Sequence, residues 1–123
     1  MTLSPIQTLL LVDDSKVARL SLIRQIKTLD AQFELIQASN ADEALLLMKT
    51  GHADAALIDF NMPGRDGLEL ASELKASHPS MKMALVTANI QQPLVERAQR
   101  LGLTFLAKPT HITELAQFLG VRL

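Results

Sequence analysis

The sequence predicts an α/β fold, a (βα)5 doubly wound sheet of five parallel strands, and three observations carry that expectation. Short apolar runs alternate with segments of helical periodicity along the whole chain. Those runs are mostly apolar on both faces, as strands covered on both sides must be. Three of them end directly in a residue able to do chemistry: Leu9-Leu10-Leu11-Val12 before Asp13 and Asp14, Ala55-Ala56-Leu57-Ile58 before Asp59, and Phe105-Leu106-Ala107 before Lys108. Parallel strands of one sheet bring such ends to a single edge, the edge where open α/β sheets bind ligands.

Taken in order, strands are expected at 9–12, 33–37, 55–58, 83–86 and 104–107. A broad apolar face over 17–29 predicts the first helix. Apolar residues at helical spacing predict the others: Ala41/Ala44/Leu45/Met48, Leu70/Ala71/Leu74, Leu94/Ala98/Leu101 and Ile112/Leu115/Ala116/Leu119. Asn40 with Glu43 has the pattern of a capping box, Pro93 suits a first helical turn, and Thr110 after Pro109 reads as an N-cap. Gly51 and Gly102 are placed to close two of the helices. Because a parallel connection needs a covering element, strict alternation implies right-handed crossovers and helices on both faces. Without a repeat, linker or low-complexity tract, the expectation is one domain over 1–123 with a core at about 8–119.

Composition narrows the function classes. Hydrophobic residues make up 48% and charged residues 20%, which is globular, and only 3% are aromatic, so aliphatic side chains must fill the core. Twelve basic residues against 13 acidic, with no Lys/Arg run, give no phosphate-backbone face, and no nucleic-acid partner is expected. The absence of cysteine excludes disulfides, thiol catalysis and cysteine-ligated metal. The start, Met1-Thr2-Leu3-Ser4-Pro5, has no charged n-region before a long apolar stretch. No segment approaches the ~18 apolar residues of a membrane span, so no membrane insertion and a cytoplasmic location are expected.

The polar strand ends pose an electrostatic problem. Two like charges about 4 Å apart repel by about 4 kcal/mol at an effective dielectric of 20, so clustered Asp13, Asp14 and Asp59 need a counter-charge. Mg²⁺ prefers oxygen ligands and supplies one. A carboxylate can also act as a nucleophile and form an aspartyl phosphate, with Lys108 neutralising phosphate oxygens. Each piece has a plainer reading alone. An aspartate pair before a helix serves as an N-cap, and Asp59 followed by Asn61, Pro63 and Gly64 serves as turn chemistry. Their shared position at strand ends favours a site.

With these motifs in view, the chain resembles a response-regulator receiver domain of two-component signalling, similar to the single-domain chemotaxis receiver, from about residue 9 to 119. Leu-Leu-Val-Asp-Asp-Ser, Leu-Ile-Asp-Phe-Asn-Met-Pro-Gly-Arg-Asp-Gly, Leu-Val-Thr-Ala and Phe-Leu-Ala-Lys-Pro stand in family order. The resemblance implies the flavodoxin-like strand order 2-1-3-4-5. It implies Asp59 as phosphoacceptor, and Mg²⁺ held by Asp14, Asp59 and the Asn61 main-chain carbonyl with Asp13 assisting through water. It also implies a Thr87 hydroxyl and a Lys108 ammonium on the phosphoryl group, with Ala88 leaving room for it. Phe105 takes the aromatic switch position, where tyrosine is frequent, and Asn61 and Asn89 take the positions that tune phosphate lifetime.

The implied function is a stand-alone signalling switch of a two-component system or phosphorelay. It would be phosphorylated by a histidine kinase or histidine phosphotransfer protein and act on a downstream protein through the fourth helix, fifth strand and fifth helix. It would be no enzyme beyond assisting its own phosphorylation and dephosphorylation. Two other classes compete. A phosphorylation-independent adaptor has no need to keep Asp13, Asp14, Asp59, Thr87 and Lys108 together. An aspartyl-phosphate hydrolase of the haloacid-dehalogenase type puts Asp-x-Asp on its first strand, where this chain has adjacent aspartates. His52, His78 and His111 lack metal-ligand spacing and read as surface residues, and Arg97 and Arg100 with Gln91, Gln92 and Gln99 form a polar face on the fourth helix.

Overall fold

Each expected apolar run is a strand in the computed structural model, which describes residues 6–122. The order is β1 (Thr8–Val12), α1 (Lys16–Lys27), β2 (Glu34–Ala38), α2 (Ala41–Thr50), β3 (Ala55–Asp59), α3 (Gly67–Ser77), β4 (Lys82–Thr87), α4 (Gln92–Arg100), β5 (Thr104–Ala107) and α5 (Ile112–Leu119). The five strands form one parallel sheet in the order β2-β1-β3-β4-β5. The extreme ends of the expected 1–123 unit, the start at Met1-Thr2-Leu3-Ser4-Pro5 among them, lie outside the described residues.

Side chains alternate across a strand, and here both sets are buried. Leu10, Val12, Ala56, Ile58 and Leu85 face a cluster completed by Ala41, Ala44 and Met48 of α2, Leu70, Ala71 and Leu74 of α3, and Leu94 and Ala98 of α4. Leu9, Leu11, Leu57, Ala84 and Val86 face the other cluster, completed by Leu22, Ile23 and Ile26 of α1 and by Leu115, Ala116, Phe118 and Leu119 of α5. Leu9, Leu10 and Leu11 are fully buried, and burying each leucine contributes roughly 2 kcal/mol before chain entropy is counted. This two-sided burial keeps the strands in register, with Val12 opposite Ile58, Asp59 opposite Val86 and Thr87 opposite Ala107. A slip of one residue would move every side chain to the wrong face.

The structure corrects several local expectations. The second strand is Glu34–Ala38 rather than 33–37, and as an edge strand it exposes Glu34 and Gln37. Asn40 caps α2 by accepting from the Glu43 N–H, but the Glu43 carboxylate turns to the Ser39 N–H, so only half of that box forms. The complete capping box belongs to Asp66 and Glu69 at α3. Thr110 is no N-cap: His111 holds that place on α5 without a side-chain cap, because the Thr110 hydroxyl is engaged by Gln25. Gly51 does end α2, in extended backbone, and Gly102 follows α4 at φ +76°, the left-handed conformation that favours glycine.

Candidate functional site

The C-terminal edge of the sheet collects the polar strand ends. The switch in strand order places β1 and β3 side by side, so Asp13 and Asp59 leave neighbouring strands. Thr87 ends β4 and Lys108 follows β5, with the Lys108 N–H bonded to the Thr87 carbonyl at 2.9 Å. Asp13, Asp59 and Thr87 are buried, whereas Asp14 is exposed. Oxygens of the three carboxylates lie within 4.8 Å of one another.

Their plainer roles are largely taken by other residues. Ser15 caps α1, its side chain accepting from the Ala18 N–H, so neither aspartate is the N-cap. Asp13 is nonetheless well anchored. One carboxylate oxygen accepts from the Ser15 N–H at 2.9 Å and the other from Lys108 Nζ at 3.0 Å. Its main-chain N–H donates to the Ala38 carbonyl, and its carbonyl accepts from the Arg19 guanidinium.

Asp59 is differently placed. Its ion-pair partner is Lys108, at 3.0 Å, and its nearest charged neighbours otherwise share its sign. Burial pushes its carboxyl above the ordinary carboxylate range; the Lys108 bond pulls it down, and Asp13 and Asp14 push it up again. For Lys108 burial disfavours the ammonium, but its bonds to Asp13 and Asp59 outweigh that and hold its pKa above the usual lysine value. One ammonium thus balances two buried carboxylates, leaving the exposed Asp14 outside the pairing.

The donor set is three hard oxygens, and opposite ligands of an Mg²⁺ octahedron lie about 4.2 Å apart. A 4.8 Å spread suits a small divalent cation with one carboxylate reaching it through water. Asn61 is exposed in the loop after β3, two residues beyond Asp59. Thr87 Oγ1 accepts from the Asn89 N–H at 3.1 Å, the hydroxyl proton has no acceptor among the described residues, and Ala88 beside it is exposed. Phe105 is half-buried and packs against the cluster under α2, α3 and α4.

Three contributors escaped sequence reasoning. Arg19 ties the Asp13 carbonyl to the Gln37 side chain on β2, and nothing local marks it. Gly67 lies so close to the C-terminal end of β3 that a Cβ there would collide with the Asp59 carbonyl and Phe60 Cα. An Asp-Gly pair opening a helix is the available signal for that close approach. Gln25 bonds Thr110 across the chain. The three histidines stay at the surface, His52 pairing with Asp54 at 2.9 Å. Arg97 and Arg100 line a groove with Leu68, Glu69 and Ser72, so this part of the α4 polar face borders α3. Among the described residues no helix is long and apolar enough to cross a membrane.

The family model for the response regulator receiver domain matches residues 9–119. The response regulator GacA of Pseudomonas viridiflava is 30% identical over 109 residues, covering 88% of this chain and 51% of that protein. The positive alginate biosynthesis regulatory protein of Pseudomonas aeruginosa is 35% identical over 112 residues, covering 89% of this chain and 44% of that protein. The chain therefore spans about half or less of the length of these curated relatives. Among solved structures, the response regulator TrrA of Thermotoga maritima, in complex with Mg²⁺ and BeF, superposes with a TM-score of 0.82 at 26% identity, covering 94% of this chain and 97% of that one.

Proposed function

The chain belongs to the response regulator receiver family, and on that premise we propose that it is a phosphoacceptor switch, phosphorylated on Asp59. The observation that carries this reading is the pairing of a buried, strand-end Asp59 with Lys108 inside a cluster of three carboxylates. We propose one receiver domain over 1–123, working in the cytoplasm, with a histidine kinase or histidine phosphotransfer protein as donor and a protein as target. Its catalysis is limited to its own phosphorylation and dephosphorylation.

Asp14, Asp59 and the Asn61 main-chain carbonyl, with Asp13 assisting through water, would hold Mg²⁺, which would supply the positive charge that lets a phosphoryl group approach the carboxylates. An Asp59 carboxylate oxygen forms the new bond to phosphorus while the bond to the donor nitrogen or acyl oxygen breaks, and the leaving group keeps that electron pair. Lys108 exchanges carboxylate contacts for a phosphoryl oxygen and neutralises it as a point charge. The Thr87 hydroxyl, already oriented by the Asn89 N–H, donates its proton to another oxygen. Ala88 leaves that approach open.

Movement of Thr87 toward the phosphoryl group makes space into which Phe105 can turn, changing the surface of α4, β5 and α5. A phenyl ring has no hydroxyl to hold it outward, so packing alone sets its resting orientation. With Mg²⁺ and beryllofluoride, NMR signals of Phe105 and α4 are expected to shift; shifts confined to Asp13, Asp14 and Asp59 would rule out this route.

The direct test is mass analysis after incubation with Mg²⁺ and acetyl phosphate. The natural chain should gain one base-labile phosphoryl group, and Asp59→Asn should fold and gain none. A phosphoryl group persisting in Asp59→Asn would refute the assignment.

A further inference from the structure

We infer that Gln25 of α1 is a positioning residue for Lys108, acting through Thr110; the inference rests on the phosphoacceptor reading of the site. The Gln25 side-chain amide donates to the Thr110 carbonyl at 2.9 Å, and its carbonyl oxygen accepts from the Thr110 hydroxyl at 2.5 Å. These two bonds fix the amide's orientation, since a flip would set two carbonyl oxygens against each other. Both residues are half-buried, where an unmade hydrogen bond costs more than at the surface.

Their importance comes from what surrounds them. Lys108 is fixed on one side by its N–H bond to the Thr87 carbonyl, after which the chain leaves the sheet through Pro109 and Thr110. Packing gives that departing segment little support. A cavity of about 410 Å³, lined by Ala18, Ser21, Leu22 and Val86, lies between α1 and Lys108-Pro109. The far end has no cap either, because His111 offers no side chain to the first turn of α5. The Gln25 latch therefore sets how far the Lys108 loop stands from α1, and with it how Nζ meets Asp13 and Asp59. A small displacement of a charge-stabilising group is enough to weaken binding of a phosphoryl-like ligand.

The experiment measures affinity for beryllofluoride at saturating Mg²⁺, and for Mg²⁺ alone, in the full chain. Gln25→Ala should lose about fivefold in beryllofluoride affinity, the size expected of a lost hydrogen-bond contribution. Its Mg²⁺ affinity should stay within about twofold, because the carboxylates are placed by their own strand ends, and Asp13 also by the Ser15 N–H, rather than by the latch. Thr110→Val should reproduce part of the loss while keeping the carbonyl acceptor, and Thr110→Ser should restore wild-type affinity; this pair carries the test if Gln25→Ala fails to fold. In a Lys108→Ala background, Gln25→Ala should add nothing. A fivefold loss that persists in that background, or a parallel fall in Mg²⁺ affinity, would show a general structural role and overturn the inference. A natural chain that binds beryllofluoride beside an unaffected Gln25→Ala overturns the latch alone. A natural chain that binds none overturns the reading of the site and the latch with it.

Discussion

One strand carries an aspartate at each end, and the two are put to opposite uses. Asp54, just before β3, accepts the Gln7 and Thr8 N–H groups at 2.9 Å each and the His52 ring at 2.9 Å. The two backbone bonds, then the His52 bond, hold its carboxyl below the ordinary carboxylate range. Asp59, at the other end, is buried with one ammonium and two carboxylates around it, and its carboxyl lies above that range. The difference is the supply of donors. A parallel sheet offers free N–H groups at the N-terminal end of a strand, and Asp54 takes two of them, while the C-terminal end offers no such donors to Asp59. A carboxylate with its lone pairs satisfied serves the fold; one left electrostatically uncomfortable is available for a cation or a phosphoryl group.

The comparison breaks most visibly at the N-terminal end. Asp54→Ala should destabilise the protein by about 2 kcal/mol, about 1 kcal/mol for each backbone hydrogen bond lost, as read by urea denaturation. An unchanged midpoint would mean that water replaces the carboxylate without loss. At the other end, Mg²⁺ at ten times its dissociation constant should add about 1.4 kcal/mol if unfolded chains do not bind it. Asp14→Ala should abolish that gain, while Asp54→Ala should keep it in full. A thermal melt indifferent to saturating Mg²⁺ would remove the metal from the reading.

Smaller still is the effect of Asp59→Asn without metal, which should stabilise the protein by on the order of 1 kcal/mol, since it removes a charge whose burial, with repulsion by Asp13 and Asp14, outweighs its pairing with Lys108. Mg²⁺ should reverse the order of the two proteins. The pH dependence sharpens the contrast because the two shifts have opposite signs. The lowered Asp54 contributes stability that is present above about pH 4 and is lost as pH falls through its folded value. The raised Asp59 imposes a cost that begins as pH rises past about 4 and is complete above its folded value. The deficit of Asp54→Ala should therefore shrink on acidification, and the gain of Asp59→Asn should vanish with it. Parallel pH profiles for the two variants would contradict both assignments.

The elements and their order were legible in the chain, because burial on two faces writes itself locally. Runs such as Leu9 to Val12 had to be strands covered on both sides, and the spacing of Leu70, Ala71 and Leu74 had to be a helix with one apolar face. It also marked Asp13, Asp59 and Lys108 as strand ends, and the family motifs supplied the strand order that sets them on one edge. Edge exposure of β2 followed only from that family order, since a strand's own pattern does not tell how many neighbours it will have. Tertiary structure alone decided the partners: Lys108 with Asp13, 95 residues away, Gln25 with Thr110, 85 away, and Asp54 with the start of β1, 46 and 47 away. Periodicity reports which face of an element meets the core, but the side chain waiting across the gap depends on where a distant segment comes to rest, and no local pattern encodes that.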